Sequence, residues 1–144
     1  MFEDVTVLRT TNDTNVWVSG INWPLGNAGR VLVALREGRY VHVTSLEILF
    51  EIARVLREYF DFSDEDAYQW FQEIGELSEV VLPVERIHAI DADPTDDKFL
   101  ECALTGRCDY IVSGDRHLLD LRSYRNVEIL TVAAFLERLA GPLR

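Results

Sequence analysis

One stretch indicates how the chain is built: residues 93–115, DPTDDKFLECALTGRCDYIVSGD. Its first part predicts a helix from Asp96 to Thr105, which Thr95 caps and Gly106 ends. A short apolar run, Tyr110 to Ser113, follows and predicts a strand. A helix followed after a few residues by a short apolar strand is typical of α/β proteins with a mostly parallel sheet.

The rest of the sequence repeats this alternation on both sides of that stretch. The other predicted strands are Asp4–Thr11, Tyr40–Thr44, Val80–Val84 and Val127–Leu130. The other predicted helices are Asn27–Glu37 before Gly38, one that Ser45 caps and that reaches about Phe60, one that Ser63 begins and that reaches about Leu77, and a last one that Thr131 caps and that stops at Gly141 and Pro142. Together the strands predict a right-handed parallel sheet of about five strands. We expect one domain over residues 1–144, since no linker or repeat interrupts the pattern.

The chain is acidic, with 144 residues and a formal net charge of −11. This charge argues against ordinary nucleic-acid binding, because affinity for phosphate usually comes from Lys and Arg. Acids that surround a bound cation would reconcile the charge with a phosphate substrate. Every basic residue except Lys98 is an Arg, whose planar fork suits phosphate oxygens.

The sequence predicts a cytoplasmic protein. It has neither a signal peptide nor an apolar run of about 20 residues that would span a membrane. The two cysteines, Cys102 and Cys108, do not form a disulfide or zinc pattern, which is typical of a reducing compartment.

Five carboxylates lie where a parallel sheet forms its ligand crevice. Asp13 follows the first strand, Glu51 lies on the helix after the second, Asp96 and Asp97 begin the helix after the third, and Asp115 follows the fourth. Because ligands bind at the carboxyl ends of parallel strands, we expect these side chains to converge at one edge. Carboxylates held close together repel one another unless a hard divalent cation binds between them. The sequence therefore predicts a site for Mg²⁺ or Mn²⁺, which can activate water toward a phosphoryl group.

Four segments of the chain resemble the PIN-domain family, and within it the small proteins that include VapC-like toxins of toxin–antitoxin systems. They are residues 13–20 (DTNVWVSG), 45–52 (SLEILFEI), 93–100 (DPTDDKFL) and 109–115 (DYIVSGD). The resemblance runs from about Asn12 to Leu139, which is nearly the whole chain. Each motif is weak alone, but four motifs in this order make a strong signal.

The resemblance implies a three-layer α/β/α fold and a Mg²⁺- or Mn²⁺-dependent endoribonuclease that hydrolyses RNA with a metal-activated water, leaving a 5′-phosphate and a 3′-hydroxyl. It also implies a homodimer and, for a toxin, a cognate antitoxin as partner. The catalytic and metal-binding acids that it implies are Asp13, Glu51, Asp97 and Asp115, with Asp96 as a neighbouring metal ligand and with Asn15 and Ser113 as accessory polar residues. Our candidates to bind the RNA are Arg30, Arg36, Arg39 and Arg116.

Two features depart from the family pattern. The residues directly before Asp13, from Arg9 to Asn12, are polar, where relatives have a continuous apolar strand. His117 stands where many relatives have a second acid after the Gly-Asp turn. We predict that His117 lies at the surface, at the start of a helix.

Two other functions stay open at this point. One is a catalytically inactive PIN-like binding module, in which the acids hold a structural cation or face a protein partner. The other is an aspartate-based phosphatase, although such enzymes have an Asp where Asn15 stands, two residues after Asp13. Metal titration, an RNA cleavage assay and a phosphatase assay on a small ester distinguish these functions.

Overall fold

The computed structural model describes residues 7–141, and the predicted α/β class is confirmed within them. In chain order, the elements are β1 (Arg9–Asn12), α1 (Thr14–Asn22), α2 (Asn27–Arg36), β2 (Val41–Ser45), α3 (Leu46–Phe60), α4 (Asp64–Leu77), β3 (Ser78–Val81), a 3₁₀ turn (Pro94–Asp96), α5 (Asp97–Thr105), β4 (Tyr110–Val112), α6 (Arg116–Leu121), β5 (Ser123–Tyr124), β6 (Val127–Leu130) and α7 (Val132–Ala140).

The described strands form one six-stranded sheet, in the order β3-β2-β1-β4-β6-β5. Neighbouring strands run parallel, except that β5 pairs antiparallel with β6. The prediction of about five strands missed β5, because two residues are too few to show an apolar alternation. β1 and β4 are neighbours, so their last residues, Asn12 and Val112, lie side by side.

Helices cover both faces of the sheet. The chain moves one way across the sheet from β1 through β2 to β3, and then returns past β1 to β4. Because parallel crossovers are right-handed, α1 to α4 lie on one face and α5 lies on the other, where it packs on β1 and β2. The three-layer α/β/α arrangement is confirmed, and Val43 and Ile111 are fully buried between the layers.

Local capping explains where most helices begin. Ser45, Ser63 and Thr131 cap α3, α4 and α7 as predicted, since each side-chain oxygen accepts a backbone N–H three residues further on. The prediction that Thr95 caps α5 is wrong. The chain enters α5 through a 3₁₀ turn, and the side chain that caps this turn is Asp93.

β1 is polar and nevertheless lies inside the sheet. Thr10, Thr11 and Asn12 are buried. The Thr11 hydroxyl donates to the Val43 carbonyl (3.0 Å), and the Thr10 hydroxyl donates to the side-chain oxygen of Asn12 (2.9 Å). These partners remove the free-energy cost of burying the polar groups. The polar departure from the family pattern therefore leaves Asp13 at the carboxyl end of a regular strand.

The two ends of the described chain differ in part from the prediction. β1 begins at Arg9, and residues 4–6 of the predicted strand lie outside the described residues. α7 ends at Ala140, and Gly141 follows it with a φ of +69°, a conformation that favours glycine. The predicted stop at Pro142 also lies outside the described residues.

β3 lies earlier in the chain than the predicted strand Val80–Val84. It begins at Ser78, directly after α4, and ends at Val81. Ser78 pairs with His42, which sets the register against β2. Pro83 has no backbone N–H to continue the ladder, so the strand stops before it.

The described helices are short, and the longest, α3, has 15 residues. None of the helices between residues 7 and 141 has the length and apolar character that crossing a membrane requires.

Candidate metal centre

Asp13 lies at the carboxyl end of β1 and begins α1. Its backbone N–H donates to the Val112 carbonyl of β4 (2.9 Å), and its Oδ1 accepts the Val16 N–H (3.0 Å). The Ser113 hydroxyl donates to its Oδ2. The residue is only 3% exposed, so two strands and a helix fix the carboxylate at this edge of the sheet.

Asp115 lies beside this pair, between β4 and α6. Its backbone N–H donates to the Ser113 hydroxyl oxygen (2.9 Å), so Ser113 connects Asp115 to Asp13. Its Oδ1 accepts the His117 N–H (2.7 Å) and caps α6. The cap engages Oδ1 and leaves Oδ2 for other contacts.

Asp96 reaches the same place from the 3₁₀ turn before α5. It is 8% exposed, and its Oδ2 has no hydrogen-bond partner among the described residues. Potential ligand atoms of Asp93, Asp96, Asp115 and His117 all lie within 4.8 Å of one another. A buried carboxylate oxygen without a partner is unfavourable unless a cation binds it. The donor set therefore fits a divalent cation.

Asp97 does not join this group. Its Oδ1 accepts the backbone N–H groups of Ala89 (3.1 Å) and Ile90 (3.0 Å), so the buried carboxylate is directed at the segment before the 3₁₀ turn. The physical reason for the difference is that the turn places Asp96 toward the acids and Asp97 toward this segment. Of the two neighbouring acids that the sequence analysis named as metal ligands, the structure brings Asp96 into the cluster and does not bring Asp97 there.

Asp97 instead anchors the segment 82–93, which has no helix or strand. Asp97→Ala is expected to lower the free energy of unfolding by about 2 kcal/mol, because two backbone N–H groups lose their acceptor. Glu101 accepts one N–H of the same segment, from Ile87 (2.9 Å), so Glu101→Ala is expected to cost about 1 kcal/mol. Urea denaturation measures both changes. A loss below about 0.5 kcal/mol in Asp97→Ala would contradict the anchoring role.

Glu51 approaches the centre from α3 and has two partners there. The Thr14 hydroxyl donates to its Oε1, and the Lys98 ammonium lies 2.8 Å from its Oε2. Lys98 also donates to the Thr95 carbonyl (2.6 Å) and is buried. Glu51 thus lies at the predicted edge as the ion-pair partner of Lys98, and it is not one of the four clustered ligands.

The environment of Asp13 favours its protonated form. The pKa of Asp13 is raised to about 6, chiefly by burial and to a smaller extent by the charge of Asp115. Hydrogen bonds from the Ser113 hydroxyl and from the backbone N–H groups of Val16 and Asn15 oppose this rise in the pKa. Asn15, predicted as an accessory residue, therefore acts here through its backbone, while the residue itself is exposed.

Asp96 is affected more strongly. Burial raises the pKa of Asp96 to about 7, and the charges of Asp115 and Asp93 add to the rise, whereas the charge of Lys98 lowers it. Like charges in a buried cluster disfavour ionisation, and a bound cation reverses that effect.

Asp96→Asn is expected to raise the melting temperature of the metal-free protein by about 5 °C at pH 8. The pKa of Asp96 is about 7 in the fold against an ordinary 3.8, so ionisation weakens the fold as the pH rises between these values. The full effect is present above pH 7, and the difference between the two proteins should shrink as the pH falls toward 4. Thermal melts with a chelator across this range measure it. Equal melting temperatures of the wild type and Asp96→Asn at pH 8 would show that the charge of Asp96 does not destabilise the fold.

The predicted RNA-binding arginines lie at different places. Arg116 directly follows Asp115 and belongs to the edge that carries the acids. Arg36 and Arg39 precede β2 and therefore lie toward the amino ends of the strands, away from the acids. Arg30 lines the same cavity as Arg39. The structure therefore brings Arg116 to the candidate centre and does not bring the other three there.

Asp93, Lys98 and His117 are site residues that the sequence analysis did not select. The Asp-Pro-Thr order and the spacing of three residues between Asp93 and Asp96 were an available signal for Asp93. His117 lies in the first turn of α6 and is exposed, as predicted, but it also reaches the cluster. Nothing in the sequence marked Lys98 as a site residue, because a lysine in an amphipathic helix normally faces solvent.

Comparisons with known proteins agree with this fold. Residues 9–117 match the PIN domain family, and this span includes every residue of the cluster. Ten chains of solved structures match. One is the crystal structure of PAE2754 from Pyrobaculum aerophilum, with a TM-score of 0.59 and 13% sequence identity, over 94% of this chain and 91% of that chain. At this identity the likeness concerns the fold alone.

No curated protein matches the chain. PIN domains are generally metal-dependent nucleases that use divalent metals, and the acidic cluster offers a place for such a metal. The family match spans well over half of the sequence, and the fold agrees with it. The chain belongs to the PIN domain family.

Proposed function

We propose that this chain is a metal-dependent endoribonuclease that acts as the toxin of a toxin–antitoxin system. The observation that carries the proposal is the buried Asp96 carboxylate beside Asp115, whose Oδ2 has no hydrogen-bond partner among the described residues. A hard divalent cation is the partner that such an oxygen favours. The choice of RNA as substrate is inferred from the resemblance to the toxins of this family.

Asp96 and Asp115 are clustered acids that would hold Mg²⁺ or Mn²⁺, and Asp13, which is not among the four clustered residues but whose charge acts on Asp96, would be a further ligand. Their carboxylates come from the end of β1, the turn before α5 and the end of β4, which are separate in sequence and meet at one sheet edge. When bound, the dication supplies a Lewis acid that activates water and stabilises negative charge on the phosphoryl oxygens.

Ser113 orients two of these acids. It donates to Asp13 and accepts the N–H of Asp115, so one fully buried hydroxyl fixes the relation between the two carboxylates. A site whose groups are already oriented loses less entropy when substrate binds. This is the accessory role that we propose for Ser113.

Lys98 carries the positive charge nearest to Asp96, and Glu51 holds it in place. Glu51 and the Thr95 carbonyl hold the Lys98 ammonium in a buried position. Its positive charge is close enough to lower the pKa of Asp96. We propose that this ammonium offsets the repulsion between the acids and the phosphates of RNA, with Arg116 as the nearest exposed basic residue.

Cleavage of RNA with controlled metal tests the proposal. The wild-type chain is incubated with total RNA, and with a labelled RNA and the DNA of the same sequence, in Mn²⁺, in Mg²⁺ and in excess chelator. The proposal expects metal-dependent cleavage of RNA that leaves 5′-phosphate and 3′-hydroxyl ends, and no cleavage in chelator. Cleavage that persists in chelator, or that leaves a cyclic 2′,3′-phosphate, would contradict it. Metal binding without any cleavage would favour the inactive binding module.

The antitoxin, the homodimer and the cytoplasmic location belong to the same proposal. Exposed apolar side chains on α3, on α4 and after β3 support the expectation that a protein partner covers this surface. They are Phe50, Tyr68, Leu82 and Val84. Exposed apolar patches of this kind often mark protein interfaces. Light scattering of the purified chain tests the dimer.

A further inference from the structure

We infer that His117 and Asp93 complete a mixed nitrogen–oxygen site that binds a first-row transition-metal dication in preference to Mg²⁺. The inference rests on the proposed function, because it concerns the same centre, and it goes further by naming the class of ion. Neither residue was among the metal ligands that the family resemblance implied.

The cluster is small enough for a single ion. One ligand atom from each of Asp93, Asp96, Asp115 and His117 lies within 4.8 Å of all the others. Two ligands on opposite sides of one small dication are about 4 Å apart, so a single ion can contact this set after small side-chain movements.

Asp96 supports a cation independently of the charge of the cluster. The residue is more than nine-tenths buried, and its Oδ2 has no hydrogen-bond partner among residues 7–141. Buried carboxylate oxygens are normally satisfied by a donor or by a cation. The unpaired oxygen therefore favours a cation as its partner at the cluster.

The position of His117 suits a ligand. Its backbone N–H is fixed by Asp115 Oδ1 (2.7 Å), whereas its Nδ1 lies 3.7 Å from that oxygen, which is too long for a hydrogen bond. The imidazole is thus beside the carboxylate without being bonded to it. Its side chain is 45% exposed, which leaves a path for an ion from solvent.

Asp93 is oriented in a similar way. Its Oδ1 accepts both the N–H (3.3 Å) and the hydroxyl (2.6 Å) of Thr95. These hydrogen bonds engage Oδ1 within the 3₁₀ turn. Oδ2 can therefore bind the ion while Oδ1 continues to cap the turn.

The imidazole determines the selectivity. Mg²⁺ prefers oxygen ligands and keeps several waters, so a nitrogen ligand adds little to its affinity. Fe²⁺, Ni²⁺ and Zn²⁺ favour imidazole nitrogen, whereas Mn²⁺ shares more of the preference of Mg²⁺ for oxygen. Three carboxylates with one imidazole therefore favour the transition metal over Mg²⁺.

The test uses the full chain with Zn²⁺, Mn²⁺ and Mg²⁺ as probes. Calorimetry gives the affinities for Zn²⁺ and Mg²⁺, and pulsed electron paramagnetic resonance of the Mn²⁺-loaded protein detects a coordinated ¹⁴N nucleus. We expect the nitrogen signal in the wild type, and its loss in His117→Gln with about a tenfold weaker affinity for Zn²⁺ and less than about a twofold change for Mg²⁺. The exposed His88 provides a matched control, and His88→Gln should change neither quantity. Asp93→Asn should weaken both ions to a similar degree.

Several results would overturn the inference. They are a wild-type spectrum without a nitrogen coupling, an equal loss of affinity for Zn²⁺ and Mg²⁺ in His117→Gln, and a nitrogen signal that His88→Gln removes. If the wild type binds Mn²⁺ and cleaves RNA but lacks the coupling, the inference fails and the proposed function stands. If the wild type binds none of these ions, both fail.

Discussion

Asp13→Asn is expected to lower the rate of RNA cleavage by about a thousandfold and to leave the fold intact. Asn has nearly the same shape, so its oxygen can still accept the Val16 N–H that caps α1. The substitution removes the negative charge that would bind the cation. Since burial raises the pKa of Asp13 to about 6, the loss of that charge does not weaken the metal-free protein at neutral pH.

The rate is measured under single turnover with a labelled RNA that the wild type cleaves, and the fold by circular dichroism and thermal melting. Asp109→Asn is the matched control, because it is the same substitution at the other end of the sheet. Asp109 lies at the amino end of β4, where its side chain accepts the Arg9 N–H (2.9 Å). It should keep the rate within about twofold, since it is remote from the acids. An Asp13→Asn protein that is folded and fully active would refute the role of Asp13.

Asp96→Asn and Asp97→Asn are expected to differ strongly although the residues are adjacent. Asp96→Asn should lower the cleavage rate by about a hundredfold or more, because it removes a charged oxygen from the cluster. Asp97→Asn should keep the rate within about tenfold, since its remaining side-chain oxygen can still accept the N–H groups of Ala89 and Ile90.

The two variants are compared at saturating Mn²⁺ and again across a metal titration, with their melting temperatures as a measure of folding. The assignment made from the sequence predicts the reverse order, with Asp97→Asn the more damaged. That reverse result, in a folded Asp97→Asn protein, would restore Asp97 as the metal ligand and remove Asp96 from the centre.

Features that depend on a few neighbouring residues were predictable from the sequence. Ser45, Ser63 and Thr131 cap their helices as expected, because a capping hydrogen bond is decided within three or four residues. Asp13 and Asp115 were placed at the sheet edge for a similar reason, since each follows a strand directly and the ends of parallel strands meet.

The choice between Asp96 and Asp97 was not predictable in this way. It depends on a 3₁₀ turn at Pro94–Asp96 and on backbone N–H groups of Ala89 and Ile90, which belong to a segment without a periodic pattern. Two neighbouring acids at a helix start look equivalent in sequence, and only the packing of the preceding segment separates them.

Polar residues inside the sheet were also hard to interpret. Thr10 and Thr11 reduce the apolar signal of β1, yet their hydroxyl groups find partners at Asn12 and at the Val43 carbonyl once the sheet forms. Periodicity reports hydrophobic burial and says nothing of such pairing. The same holds for Lys98, whose burial depends on Glu51 from a different helix.

The proposed chemistry depends on a divalent cation bound by Asp96 and Asp115 at this edge of the sheet. Crystals of the wild-type chain grown with Mn²⁺, with diffraction recorded on both sides of the manganese absorption edge, can locate this ion. We expect an anomalous peak about 2 to 2.5 Å from carboxylate oxygens of both residues. A well-ordered site without such a peak, or a peak at Asp97 and Glu101 instead, would refute cation binding by Asp96 and Asp115.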